Sequence, residues 1–386
     1  MSRFTPPPFE EISRFLAGAP LEEAEKVLAG NTAPSWQGLA ALLSPAADCL
    51  LPAMAQKSRD LTVQRFGRAI QLYAPIYLSN YCSNRCAYCG FSAENPISRR
   101  ALSLDETVAE AMLLHERGFR HILLVSGEAP LRLGVGQLEQ AARRLQGFFA
   151  SVSIEVQPLL QEEYARLFAA GITSVAVYQE TYDPACYREV HHAGMKKEYD
   201  TRLEIPARAA AAGMREVGIG ALLGLSDWRT EGVMLGMHLA WLRKQFWRTA
   251  FTVSFPRLRP ASGGFAPRVP VSEKDLARLI FCLRIFDPDV GLVLSTRESQ
   301  SFRDHMLGLG PTRYSAGSCT VPGGYLHPEF SGEQFEVGDH RSLDEVVRSI
   351  RAHGLDPVTK DWDQIFQRGE DNARLQSDFQ PTLAAT

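Results

Sequence analysis

The sequence predicts an α/β protein built as a (β/α)8 barrel, with a helical extension before it and another extension after it. Three observations carry this prediction. From Tyr73 onward, short apolar runs alternate with stretches of helical period, which implies parallel strands joined by helical crossovers. The runs number eight, enough to close a ring, although a partly open barrel fits the same pattern. Polar and ionisable residues gather where the runs end, the edge on which barrel enzymes place their chemistry.

Residues 1–69 are rich in Ala and Leu, contain no strand run, and include EEAEKVLAG, which ends on a helix-stopping glycine. This part is expected to be a helical extension. The barrel is expected over 70–318, with strands at YAPIYL (73–78), HILLVS (121–126), VSIEV (152–156), TSVAVY (173–178), EVGIGALL (216–223), AFTVSF (250–255), GLVLS (291–295) and RYSAGS (313–318). Helical period appears between them, as in LDETVAEAMLLHERGF and TEGVMLGMHLAWLRKQF. Strand one runs into SNYCSNRCAYCGF, strand two ends in SGE (126–128), strand four in QETY (179–182), strand six in PRLRP (256–260) and strand seven in TRES (296–299). Residues 319–386 are expected to cover the barrel, with a polar, mobile tail from about residue 370.

At 386 residues and 45% hydrophobic, the chain can bury a large core. The net charge is −3 and no Lys/Arg run stands out, so nucleic acid is not an expected partner. The N-terminus has no signal-peptide pattern and no stretch reaches the ~18 apolar residues of a membrane span. A soluble, cytoplasmic protein is expected, with no membrane partner.

Of seven cysteines, Cys82, Cys86 and Cys89 fall within eight residues and the rest are scattered. That is a metal site plus ordinary buried thiols, Cys49, Cys186, Cys282 and Cys319, rather than a disulfide framework. Thiolates suit Fe–S clusters and zinc. A structural zinc site or a closed electron-transfer cluster takes four protein ligands, and no fourth Cys or His lies nearby in sequence. A zinc site completed by a distant residue is the bland alternative. Three ligands on a four-iron cluster leave one iron open. The adjacent pair His191–His192 diverges in direction and is not expected to bind metal.

The segment CSNRCAYC, with Tyr88 before the last cysteine, resembles the signature of the radical S-adenosylmethionine (SAM) superfamily. The resemblance implies a TIM-type radical SAM barrel with a [4Fe–4S] cluster on Cys82, Cys86 and Cys89. It further implies that SAM chelates the open iron and is split on reduction to a 5′-deoxyadenosyl radical. SNYCSNRCAYCGFSAEN, LLVSGEAP, VYQETYDPACY, SFPRLRPA, LSTRESQSFRD and SAGSCTVPGGY together resemble the tyrosine lyases of thiamine biosynthesis, the 2-iminoacetate synthase family, over roughly residues 60 to 365. The similar tyrosine lyases of [FeFe]-hydrogenase maturation carry a second cluster in a C-terminal extension. No cysteine follows Cys319 here, so the thiamine branch is expected.

The implied reaction breaks the Cα–Cβ bond of L-tyrosine to give 2-iminoacetate and p-cresol. The implied partners are thiazole synthase, which would receive the labile product, and an electron donor such as flavodoxin or ferredoxin. Ser126, Gly127 and Glu128 match the motif that binds the SAM amino group, with an ordinary turn as the alternative. Tyr88 would flank the cofactor. Glu180 matches a ribose contact, or else pairs with a barrel arginine. Glu155 either points to SAM or pairs with an arginine. Arg202 matches a contact to the SAM carboxylate, or else lies on a helix surface. Gly220 belongs to an apolar wall for adenine, or simply to a buried strand. Arg297, assisted by Ser295, is expected to hold the tyrosine carboxylate, since a guanidinium grips a carboxylate through two parallel hydrogen bonds. Arg259 is its rival, and Glu298 or Asp304 would be its partner if its role were structural. Tyr178 and Tyr182 are read as packing. A lyase or transferase for another aromatic substrate, of the tryptophan or flavin-precursor kind, is the alternative within this chemistry; a non-enzymatic metal-binding protein is the alternative outside it.

Overall fold

The structure, a computed structural model, describes residues 3–31 and 34–360. Four helices come first: Phe9–Gly18 (α1), Leu21–Leu28 (α2), Trp36–Leu43 (α3) and Leu51–Phe66 (α4). The barrel strands are Ala69–Ser79 (β1), His121–Ser126 (β2), Ser151–Glu155 (β3), Ile172–Ala176 (β4), Glu216–Gly220 (β5), Ala250–Ser254 (β6), Gly291–Leu294 (β7) and Arg313–Ser315 (β8). The helices among and after them are Leu104–Glu116 (α5), Val135–Leu145 (α6), Gln161–Ala169 (α7), Pro184–Val190 (α8), Tyr199–Ala211 (α9), Trp228–Gln245 (α10), Glu273–Phe286 (α11), Gln300–His305 (α12) and Leu343–Ala352 (α13), and a short strand follows at Asp356–Val358 (β9).

Every neighbouring strand pair is parallel, and the ring closes because β1 pairs β2 on one side (Ala74 opposite Ile122) and β8 on the other (Tyr73 opposite Ser315). The open alternative is thereby excluded. The eight expected strands are all present. Two differences follow from local chemistry. β1 starts earlier, at Ala69, because β9 lies alongside Ala69–Gln71 and satisfies its first backbone groups. β8 stops at Ser315, where the chain turns away through Gly317 at φ 55.

Helix starts follow the side chains written at them. Ser103 and Glu106 form a reciprocal capping box at α5, Ser272 and Asp275 do so at α11, and Asp227 caps α10 through the Thr230 N–H. The N-terminal helices bury Leu39, Leu42 and Leu43 of α3 against α10 and α11, so they coat the outside of the ring. Among the described residues, no single helix is long and apolar enough to cross a membrane.

The interior is unusual for a barrel. Small or hydroxylated side chains, Ser153, Ser174, Gly218 and Thr252, stand where bulky branched residues usually fill the layers. The lower half of the ring therefore holds a small cavity lined by these side chains. Arg313 and Glu216 pair at 2.5 Å at its floor.

After β8 the chain crosses the mouth of the barrel. The Tyr325 hydroxyl donates to the Pro75 carbonyl at 2.8 Å, the Gly90 N–H to Gln334 at 3.1 Å, the Glu336 N–H to Pro260 at 2.9 Å and the Gly338 N–H to Thr296 at 2.7 Å. This segment thus bridges β1, the cysteine loop and the ends of β6 and β7. It is fastened by Asp339, which meets Arg303 of α12 and takes a 2.7 Å bond from Arg341; Arg303 and Asp339 are each 1% exposed. Breaking a buried, hydrogen-bonded pair strands a charge, at a cost of about 3–5 kcal/mol. Asp339→Ala is therefore expected to lower the thermal midpoint by several degrees, measured by circular dichroism. An unchanged midpoint would mean that the pair contributes no net tie. Residues 361–386, which include the end of the expected C-terminal extension and its polar tail, lie outside the described residues.

Candidate active site

The cysteine loop begins at the C-terminal end of β1 and is not free. It runs antiparallel to the segment after α8: the Arg85 N–H bonds Ala193, the Ala87 N–H bonds Val190 and the His192 N–H bonds Arg85. Ser83 donates to the Glu128 carbonyl at 2.8 Å. Asn84, between the first two cysteines, donates to the Glu128 carboxylate at 2.7 Å and accepts from the Lys196 N–H at 3.1 Å. Gly127 is packed so closely that a Cβ there would lie 2.3 Å from the Tyr81 carbonyl. Only glycine lets the β2 turn approach the cysteine loop in this way.

Cys82, Cys86 and Cys89 line one cavity of about 840 Å³ at the mouth of the barrel. Tyr88, Ser126, Gly127, Glu128, Glu155, Glu180, Arg202 and Arg297 line the same cavity. A second cavity, of about 560 Å³, lies deeper and is lined by Tyr73, Tyr77, Ser254 and Ser295. The two share Val125, Glu155, Tyr178, Pro256, Arg297, Gln334 and Phe335, which form the neck between them. Two expected residues lie apart from these walls. Gly220 sits behind Tyr178, where a Cβ would come 2.4 Å from the Ser254 carbonyl and 2.7 Å from the Tyr178 ring. Arg259 lines neither cavity; it pairs at 3.0 Å with Glu298, which also holds Arg257.

Four of the charges in the outer cavity pair with one another, Arg202 with Glu128 and Lys196 with Glu180. Arg202 is buried, not on a helix surface: it donates to Glu128 at 2.7 Å and to the Tyr178 carbonyl at 2.9 Å. Glu180 pairs at 2.6 Å with Lys196 rather than with an arginine. Glu155 makes no ion pair among the described residues, and burial together with the Glu180 charge pushes its carboxyl up to about 7. Burial pulls the Arg297 guanidinium down. Its structural alternatives are taken, because Glu298 holds Arg257 and Arg259 while Asp304 holds Arg341 at 2.9 Å. Among the described residues Arg297 has no carboxylate partner, and its guanidinium lies 3.4 Å above the Phe335 ring. Ser295 lies beside it and accepts the Arg297 N–H at 3.4 Å.

Tyr88 is fixed by His191, whose Nε2 is 2.8 Å from the phenol oxygen. Burial and the nearby Lys196 charge pull the imidazole down to about 3, so it is neutral. Its Nδ1–H donates to the Tyr187 carbonyl at 2.9 Å, which makes Nε2 the acceptor and Tyr88 the donor. His191 is thus a brace for the cysteine loop. Tyr182 is packing, as expected, and Tyr178 forms part of the neck. Of the scattered thiols, Cys186 and Cys282 are buried, Cys319 is only half-buried and Cys49, expected like the others to be buried, is exposed.

Lys196, Asn84, Tyr77, Gln334 and Phe335 belong to the site and were not singled out from sequence. Asn84 alone carried a signal, since it lies inside the cysteine motif.

The donor set fits an iron–sulfur cluster. Three thiols on one loop face a cavity with room beside them, and Lys196 and Arg202 supply cations against the charge of a thiolate cluster. Among the described residues, no group of three His, Cys, Asp or Glu side chains is arranged to hold a single metal ion. Burial pushes the Cys86 and Cys89 thiols up, so ligation itself must draw off their protons.

A closed parallel barrel with three convergent cysteines after its first strand defines a radical SAM protein. The sequence pattern of the Radical SAM superfamily matches residues 76–235, and that of the Biotin and Thiamin Synthesis associated domain matches residues 254–356. The chain is 44% identical to 2-iminoacetate synthase of Salmonella typhimurium, over 93% of this chain and 96% of that one. It is also 44% identical to the Escherichia coli enzyme of that name, over 85% of this chain and 87% of that one. The chain belongs to the 2-iminoacetate synthase family of radical SAM proteins. Among solved structures it resembles the FeFe-hydrogenase maturase HydG from Carboxydothermus hydrogenoformans, at 33% identity and a TM-score of 0.83 over 91% of this chain and 83% of that one.

Proposed function

We propose that this protein cleaves the Cα–Cβ bond of L-tyrosine to 2-iminoacetate and p-cresol, with 5′-deoxyadenosine and methionine as the products of SAM, and supplies the thiazole moiety of thiamine. The observation that carries the reading is Arg297, a cation without a carboxylate partner at the neck between the two cavities. A cation held in such a place calls for an anionic ligand, and an amino-acid carboxylate is the anion that its fork fits.

A [4Fe–4S] cluster on Cys82, Cys86 and Cys89, with SAM, supplies the hydrogen-abstracting radical. The rest falls to side chains of this chain. Glu128, beside Arg202, would accept from the SAM ammonium, and Glu180 from the ribose hydroxyls. Ser126, Gly127 and Gly220 let backbone and ring approach closely. Arg297, with Ser295, orients the amino-acid end of tyrosine at the neck, so that the side chain extends into the deeper, aromatic-lined cavity. The segment across the mouth keeps water out while the radical is exposed. Since 2-iminoacetate hydrolyses readily, thiazole synthase is the partner that would receive it, with flavodoxin or ferredoxin as electron donor, in the cytoplasm.

Purified, cluster-loaded protein incubated anaerobically with SAM, a reductant and tyrosine tests the proposal. p-Cresol and 5′-deoxyadenosine in equal amounts are expected. SAM cleavage without p-cresol, or an indole product from tryptophan instead, would reassign the substrate.

A further inference from the structure

Glu180 is the only non-glycine among the described residues with its backbone in the left-handed region, at φ 71. An L residue rarely adopts that conformation, and keeps it only where the surroundings over-determine it. On one side the cause is plain: the Glu180 carbonyl accepts the Leu222 N–H at 2.7 Å as β4 and β5 end. On the other side stands Glu231 of α10, 2% exposed and outside both cavities. Its carboxyl meets the Thr181 hydroxyl and takes the Tyr182 N–H at 2.8 Å. Thr181 in turn accepts the Asp183 N–H at 3.1 Å, and Asp183 caps α8. The Tyr182 hydroxyl reaches His238, also on α10, at 2.9 Å. The turn that presents Glu180 is thus pinned to α10 from behind, through the two residues that follow it.

We propose that Glu231 is a positioning residue for cofactor binding. By stapling Thr181 and Tyr182 to α10, it fixes Glu180 in the backbone conformation that aims its carboxylate into the cavity beside Lys196. This rests on the reading of Glu180 as a contact to the SAM ribose. Burial raises the Glu231 carboxyl to about 8, so near neutral pH it is largely an uncharged acid, and glutamine is its closest mimic.

Equilibrium binding of SAM to the cluster-loaded full chain, under anaerobic conditions, tests this. Iron and sulfide content serve as the control for folding. Glu180→Gln and Glu231→Leu are each expected to weaken SAM binding about tenfold, as loss of a positioned hydrogen-bonding group does. The double variant should be no weaker than the worse single one, because both changes act through the same contact. Glu231→Gln should stay within about threefold of the parent. Losses that multiply in the double variant, or normal binding in Glu231→Leu while Glu180→Gln is weakened, would overturn the positioning role. Normal binding in Glu180→Gln would instead sink the reading of Glu180 and this inference with it. If Glu231→Leu does not load with cluster, Thr181→Val removes the hydroxyl that Glu231 holds; the Asp183 N–H bond goes with it, while the Asp183 carboxylate keeps its bonds to the Ala185 and Cys186 N–H groups. A several-fold loss then supports the staple, and unchanged binding overturns it.

Discussion

Replacing Cys82, Cys86 or Cys89 by Ala is expected to give a folded barrel that no longer cleaves SAM. All three line the outer cavity from one loop, and that loop is held by backbone bonds to residues 190–193 and by Ser83 and Asn84 to the β2 turn. None of these bonds uses a sulfur, so the loop keeps its frame when a thiol is lost. The ring of strands and the core cluster lie elsewhere. What disappears is one of three ligands, and two thiolates do not retain a four-iron cluster that needs three. Iron content should fall sharply and 5′-deoxyadenosine formation should drop by at least about three orders of magnitude, since the electron from the reductant would have no other route to SAM. Full activity in any one of the variants would show that its cysteine is not a ligand.

Arg297→Ala is expected to separate the two substrates. SAM binding and reductive SAM cleavage should survive, because the charged set proposed to receive SAM, Glu128, Arg202, Glu180 and Lys196, is satisfied without Arg297. Tyrosine use should collapse. Truncating one partner of a desolvated, hydrogen-bonded charge pair costs about 2–5 kcal/mol, which is roughly 30-fold to several thousand-fold in kcat/KM for tyrosine. Arg297→Lys keeps the charge but loses the two-pronged grip and should recover only part of the loss. The check is p-cresol formed per 5′-deoxyadenosine released. An unchanged kcat/KM for tyrosine would transfer the role to another group; Arg259 is the less suited rival, because Glu298 already neutralises it.

Much of this site could be read in the amino-acid order, and the rest had physical reasons to be hidden. The barrel was legible because buried parallel strands are short apolar runs, and HILLVS and AFTVSF show this directly. β9 was not, since Asp356–Val358 is three residues with a proline and no apolar run, and it exists only because β1 offers it an edge. The cysteines were legible because ligand spacing on one loop is local information. Glu128 and Arg202 were found from motif position, but their mutual 2.7 Å bond depends on how β2 and α9 meet in space. Lys196 stands in GMKKE, indistinguishable in sequence from a solvated lysine, and is half-buried because its backbone N–H is tied to Asn84 of the cysteine loop and its ammonium to Glu180. Gln334 and Phe335 reach the neck from far along the chain, through a segment whose course over the mouth is set by tertiary hydrogen bonds.

The central claim is that three protein thiolates leave one corner of a cubane to be filled by SAM. Electron–nuclear double resonance on the reduced protein, mixed with SAM carrying 15N in its amino group, tests this most directly. The account predicts a resolved 15N coupling to the cluster spin, lost in each cysteine variant. A reduced cluster with no such coupling, at SAM concentrations that saturate the protein, would contradict it.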